Sequence, residues 1–161
     1  MSTLIIEKAK LKNLKDLIYL LFDDDLGKDR ENISETSFNN YKKSFMKILN
    51  DTNNEIFIMV LNDQIIGMMQ LTFIPGLSME GMTRCQIESV RIKKDYRNKG
   101  YGSELMKKGI EIAKLNKCGL IQLTSNKERL KAINFYKKLG FLSTHNCLLY
   151  TSDAADELLG V

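Results

Sequence analysis

The chain has no tryptophan, a single proline, a single histidine and only three cysteines. Cys85, Cys118 and Cys147 are widely spaced and form no CxxC pair, and His145 stands alone. That composition argues against a metal site and against a disulfide framework, and favours a reducing cytosol. No run approaches the roughly 18 apolar residues of a membrane span, and the apolar stretch in MSTLIIEKAK is too short for a signal peptide. The expectation is a cytoplasmic protein with no membrane partner. The formal charge of +4 favours an anionic ligand locally but is too small to argue for nucleic acid. No face interleaves aromatics with lysine as a nucleic-acid platform would.

What is present is ordinary for a globular domain, and 161 residues bury about two-thirds of their unfolded surface. Leu4–Glu7 reads as a short strand. Asn13 is placed to cap a helix carrying Leu14, Leu17, Ile18 and Leu21 at helical spacing. Thr36–Leu49 reads as a second amphipathic helix. Glu55–Leu61 and Ile65–Phe73 read as strands joined by a hairpin at "NDQ". After a turn-rich connection, Ile74–Gly81, come a strand over Thr83–Ile92 and a helix over Ser103–Asn116. A strand over Leu120–Thr124 and a helix over Arg129–Leu139 follow, and Gly140-Phe141 reverses into a last strand. The order βααβββαβαβ predicts an α/β sandwich with an antiparallel first half.

The informative stretch is "YRNKGYGSEL", Tyr96 to Leu105, between a strand and a helix. Gly100 and Gly102 allow positive φ and close backbone approach at the helix start. Free amides at a helix N-terminus, with the dipole behind them, make an anion site, and Arg97 and Lys99 add charge. A pyrophosphate suits that site. The plainer reading is a tight turn with solvated basic residues. There is no GK[ST], and Leu105 stands where a dinucleotide fingerprint has its third glycine.

"VRIKKDYRNKGYGSELM" closely resembles the acyl-CoA-binding motif of the GNAT superfamily of N-acetyltransferases, with Arg97, Gly100 and Gly102 on its R/Q-x-x-G-x-G/A pattern. "RLKAINFYKKLGF", Arg129 to Phe141, is similar to that family's A-x-x-F-Y-x-x-L-G-F segment. "QLTFIPGLS" with "QIESV" resembles one bacterial branch. The resemblance implies a mixed central sheet, splayed between strands 4 and 5 and flanked by helices on both faces, with acetyl-CoA as cosubstrate. Carried over, the backbone of Val90 and Ile92 pairs with the pantetheine arm. Arg97, Asn98, Lys99, Gly100, Tyr101, Gly102 and Ser103 hold the pyrophosphate, and Asn126 and Asn134 add cofactor contacts. Arg129 stands where many relatives have asparagine.

Two side chains are candidates for chemistry. Glu88 sits between apolar strand residues, where burial raises a carboxyl pKa toward that of a general base. The alternative is a structural salt bridge to Arg84 or Arg91. Tyr136 lies at the edge of the helical stripe of Ala132, Phe135 and Leu139, where a phenol could protonate a departing thiolate, or simply complete the core. The resemblance favours the catalytic reading of both, and makes the Val90 amide an oxyanion donor. Asp23-Asp24-Asp25 opposes the dipole of the helix it ends. It reads as a solvated loop or, with Glu31 and Glu80, as an acidic wall for a cationic acceptor.

The function implied is transfer of an acetyl group from acetyl-CoA to a primary amine of a small molecule or peptide, by a monomer or homodimer. A catalytically silent acyl-CoA-binding sensor module is the alternative. The acetyltransferase domain is expected over residues 1–146. "CLLYTSDAADE", Cys147 to Glu157, resembles one reading frame of a transposase-based sequencing adapter, so 147–161 is expected to be a non-native tail in place of the last strand.

Overall fold

The computed structural model describes residues 3–24 and 31–150. The chain divides after Leu123 into two units. Among the described residues the first holds five strands: β1 (Leu4–Lys8), β2 (Asn54–Leu61), β3 (Gln64–Pro75), β4 (Thr83–Ile92) and β5 (Leu120–Leu123). They lie side by side in chain order, antiparallel from β1 to β4 and parallel between β4 and β5. The hairpin between β2 and β3 turns on Asn62 and Asp63, whose φ values of 48° and 63° are those of the mirror-image turns that match strand twist.

Helices cover both faces of this sheet. Alternation along β2 and β3 sends Ile56, Ile58 and Met68 to one face. There they join Leu14, Leu17 and Ile18 of α1 (Leu14–Phe22) and Phe45 of α2 (Glu35–Asn50) in one cluster. Ile56–Met59 is a continuous buried run, as expected for a strand packed on both sides. On the other face lies α4 (Tyr101–Leu115), with Leu105 and Met106 fully buried. Gly109 brings this helix close to the sheet: a Cβ there would sit 3.0 Å from the Met69 sulfur and 3.7 Å from Ile87 Cδ1. Full burial of residues such as Met69, Leu71 and Ile87 contributes about 1.5–3 kcal/mol each before entropy.

Local capping differs in places from the sequence expectation. Asn13 precedes α1 but does not cap it; its Oδ1 accepts from the Lys10 amide at 2.8 Å and closes the 3-10 turn before the helix. Ser34 caps α2 by accepting from the Ser37 amide. The single turn α3 (Ser78–Gly81) has Met79 and Glu80 in left-handed conformation.

The second unit contains α5 (Leu130–Lys138), closed by Gly140 at φ 95°. The expected strand after Gly140-Phe141 does not form: residues 141–150 carry no regular structure. Leu142, Leu148, Leu149 and Tyr150 are all largely exposed, so no buried apolar row holds that segment extended. The expected tail from Cys147 onward lies partly outside the described residues. No described helix is long and apolar enough to cross a membrane.

Candidate active site

β4 is where the sheet becomes a site. Its pairing with β5 ends at Ile87–Leu123, although β4 continues to Ile92. β5 itself ends at Leu123, so from Glu88 onward β4 has no β5 residue paired with it. One residue later the ladder with β3 slips: Gln70 faces Glu88, but Met68 faces Arg91. Ser89 absorbs the slip at φ 53°, a left-handed conformation rarely taken by a residue other than glycine. Val90 follows directly on this bulge, beyond the last β5-paired residue, Ile87.

The loop after β4 presents backbone amides. Asn98 and Gly100 are both left-handed, at φ 61° and 89°, and α4 follows at once. No side chain caps that helix, so its first-turn amides at Tyr101, Gly102 and Ser103 have no intrahelical partner. Fifteen residues of helix dipole stand behind them, which favours an anion there. Lys99 lies exposed beside the loop, its Nζ 5.7 Å from the Tyr96 ring centroid. Tyr96 is fixed by donating to Gln64 and by an edge contact with Tyr101. Uncapped amides, two left-handed residues and a lysine at the helix start fit the diphosphate of a coenzyme A thioester.

Arg97 is held differently from a free counter-charge. Its Nε donates to the Ile92 carbonyl at 2.8 Å and its NH2 to the Asp23 carbonyl at 2.6 Å. The Asp23 carboxylate lies 3.7 Å from the same guanidinium and accepts from the Lys94 amide at 3.0 Å. Buried Asp24 faces Arg91 at 3.6 Å, and Arg91 also donates to the Val90 carbonyl. The acids at the end of α1 thus clasp the β4–α4 connection. That is why they tolerate an unfavourable dipole, and it leaves neither as part of an acidic wall. Glu31 accepts from the Tyr41 hydroxyl, and Asp25 lies outside the described residues.

Glu88 is exposed, which corrects the expected burial. Ile87 takes the buried face toward α4, so its neighbour must point to the other. Among the described residues no salt bridge joins Glu88 to Arg84 or Arg91 either. Arg84 donates to Gln122 and Arg91 is engaged with Asp24. Glu88 is therefore an accessible carboxylate one residue before the bulge. Cys85, on the buried face, has its thiol pushed up to about 12, mainly by burial and then by Cys118. It is a core filler and no nucleophile.

In the second unit, Asn126 Oδ1 accepts from the Glu128 amide at 2.9 Å and shapes the approach to α5. Asn134 is exposed on that helix. Tyr136 is half-buried, its ring packed against Phe135 and Phe141 with centroids 5.2 and 6.0 Å away.

The fold is a mixed five-stranded sheet, parallel between β4 and β5, with helices on both faces and an uncapped helix N-terminus after β4. The chain belongs to the acetyltransferase (GNAT) family, whose model matches residues 15–141. A transcriptional regulator from Bacillus halodurans is 38% identical, with 92% of this chain and 99% of that one covered and a TM-score of 0.88. A predicted acetyltransferase from Clostridium acetobutylicum, solved with acetyl-CoA, is 20% identical, with 92% and 96% covered and a TM-score of 0.73. Glucosamine-6-phosphate N-acetyltransferase from Arabidopsis thaliana is 15% identical, with 93% and 99% covered and a TM-score of 0.77.

Proposed function

We propose that the protein is an N-acetyltransferase that uses acetyl-CoA to acetylate a primary amine of a small molecule or peptide. The observation that carries this reading is the end of β4 beyond its paired β5 residues, followed across a short loop by uncapped α4 amides, with exposed Glu88 on that end. The family match and the acetyl-CoA in the Clostridium acetobutylicum structure support the cosubstrate.

Bound acetyl-CoA would supply a thioester whose carbonyl carbon the amine attacks. The amide of Val90 and the backbone of Ile92 hold the pantetheine arm, and the Val90 N–H polarises the carbonyl. Residues Arg97, Asn98, Lys99, Gly100, Tyr101, Gly102 and Ser103 form the pyrophosphate loop, with Arg97 acting through the backbone it fixes. Asn126 and Asn134 are further cofactor contacts. Glu88 takes the proton the amine loses as its nitrogen bonds to carbon, through water. As the carbon–sulfur bond breaks and sulfur keeps the electron pair, Tyr136 gives that sulfur a proton. The products are an acetamide and a free thiol, and solvent restores both side chains.

Calorimetry tests the cofactor site. Acetyl-CoA should bind, and acetyl-pantetheine, which lacks the diphosphate, should bind at least about tenfold more weakly. Equal affinities would overturn the loop assignment. A second reading, an acyl-CoA-sensing module without turnover, draws on the description of the Bacillus halodurans protein as a transcriptional regulator. It predicts binding without CoA release over any amine.

A further inference from the structure

On the sheet face that carries Glu88, the apolar cluster under α1 and α2 gives way to polar side chains. Gln70 lies opposite Ile56 and Glu88, Thr72 lies opposite Asn54 and Gln86, and Gln86 lies opposite Gln122. Residues directly opposite in a ladder share a face, so Asn54, Thr72, Gln86 and Gln122 form one row across four strands, with Gln70 beside it in the next row, opposite Glu88. All five are half-buried, and Glu88 is the exposed member beside them. The register alone brings together residues from 54 to 122.

The row is ordered by its own hydrogen bonds. Thr72 Oγ1 donates to Asn54 Oδ1 at 2.7 Å and Gln70 Nε2 to the same oxygen at 3.3 Å. Gln122 Nε2 donates to Gln86 Oε1 at 2.7 Å, and Arg84 donates to Gln122 Oε1. A carboxamide offers two donors and one acceptor oxygen. Among the described residues, Gln86 Nε2 and Gln70 Oε1 make no hydrogen bond within this row. Beside Glu88 there thus stand one unused donor group and one unused acceptor, both neutral and both held in place by their neighbours. Asp23 and Asp24 are taken up by Arg97 and Arg91, and Arg84 is directed to Gln122.

We propose that Gln70 and Gln86 form an acceptor subsite that selects a small primary amine bearing hydroxyl groups, since a hydroxyl both donates and accepts as these amides do. This rests on the acetyltransferase reading, with Glu88 as base. A site built to hydrogen-bond a hydroxyl discriminates strongly against the analogue without it, because its polar groups would be left unpaired.

The test compares glucamine with hexylamine, which has the same carbon chain and no hydroxyls, with spermidine, and with a neutral tripeptide amide. Acetyl-CoA binding is measured separately by calorimetry. Glucamine is expected to have the highest kcat/KM, by about tenfold or more. Gln70→Leu and Gln86→Leu should each raise its KM about tenfold while the Kd for acetyl-CoA stays unchanged. Preference for hexylamine, spermidine or the peptide overturns the subsite, as does transfer to none of the four, or equal losses across the panel in both variants. If acetyl-CoA itself fails to bind, the acetyltransferase reading falls and the subsite with it.

Discussion

Replacing Arg97 by alanine removes the strut between the end of α1 and the cofactor loop. Two hydrogen bonds from a charged donor are lost, to the carbonyls of Ile92 at 2.8 Å and Asp23 at 2.6 Å. Bonds of this kind contribute about 1.5–3 kcal/mol each when well buried. The Arg97 side chain is 32% exposed, so the lower end applies and the 3.7 Å ion pair adds little. The expected loss is about 2–3 kcal/mol, which for a chain of this size lowers Tm by about 5–10 °C. Arg97→Lys is the informative partner. It keeps the charge, but a single ammonium cannot serve both carbonyls, so it should recover less than half of the lost stability. Thermal unfolding by circular dichroism reads both variants, and calorimetry with acetyl-CoA reads the loop. If Arg97→Ala melts within about 1 °C of the parent, or Arg97→Lys restores it fully, Arg97 is a simple counter-charge and the clasp argument is wrong.

Gly100→Ala isolates backbone strain, because nothing lies within 4 Å of the new Cβ while φ is 89°. It should cost about 1–2 kcal/mol in urea unfolding and weaken acetyl-CoA binding, and a neutral result would show that the loop readjusts freely. At Ser89, φ 53° makes Ser89→Gly neutral or stabilising and Ser89→Val destabilising by about 1–2 kcal/mol; the reverse order in melting would refute the bulge. Burial pushes the Cys85 thiol up to about 12, so at pH 8 its thiolate fraction is on the order of 10⁻⁴. A disulfide reagent should label exposed Cys147 quickly and Cys85 only after unfolding, and rapid native labelling of Cys85 would contradict its place in the core.

Helical spacing made α1, α2, α4 and α5 legible within about two residues, and the Asn62-Asp63 turn announced its hairpin. The left-handed turn at Gly100 was legible because glycine is a residue whose backbone requirement shows in its identity. Ser89 is the contrary case: it takes a left-handed conformation that serine does not advertise, so the bulge that orients Val90 was invisible. The same alternation that buries Ile87 exposes Glu88, and reading its apolar neighbours as an average environment missed that. Partnerships between distant residues, Arg97 with Asp23 and Gln86 with Gln122, depend on strand register and helix placement, which local pattern does not carry. The last strand failed for a related reason, since a suitable composition does not supply a ladder partner.

The central claim, acetyl transfer with Glu88 as the base, is tested most directly by the pH–rate profile of Glu88→Gln beside the parent. Acetyl-CoA is supplied with the best amine, and CoA release and acetylated product are counted together. The account predicts one CoA per acetylated amine and a kcat lower by about 10²–10⁴-fold in Glu88→Gln. Raising the pH should recover part of the rate, because more amine is then neutral, whereas Tyr136→Phe should not recover in this way. A Glu88→Gln protein with the parent's profile and rate, or CoA release without acetylated amine, would contradict it.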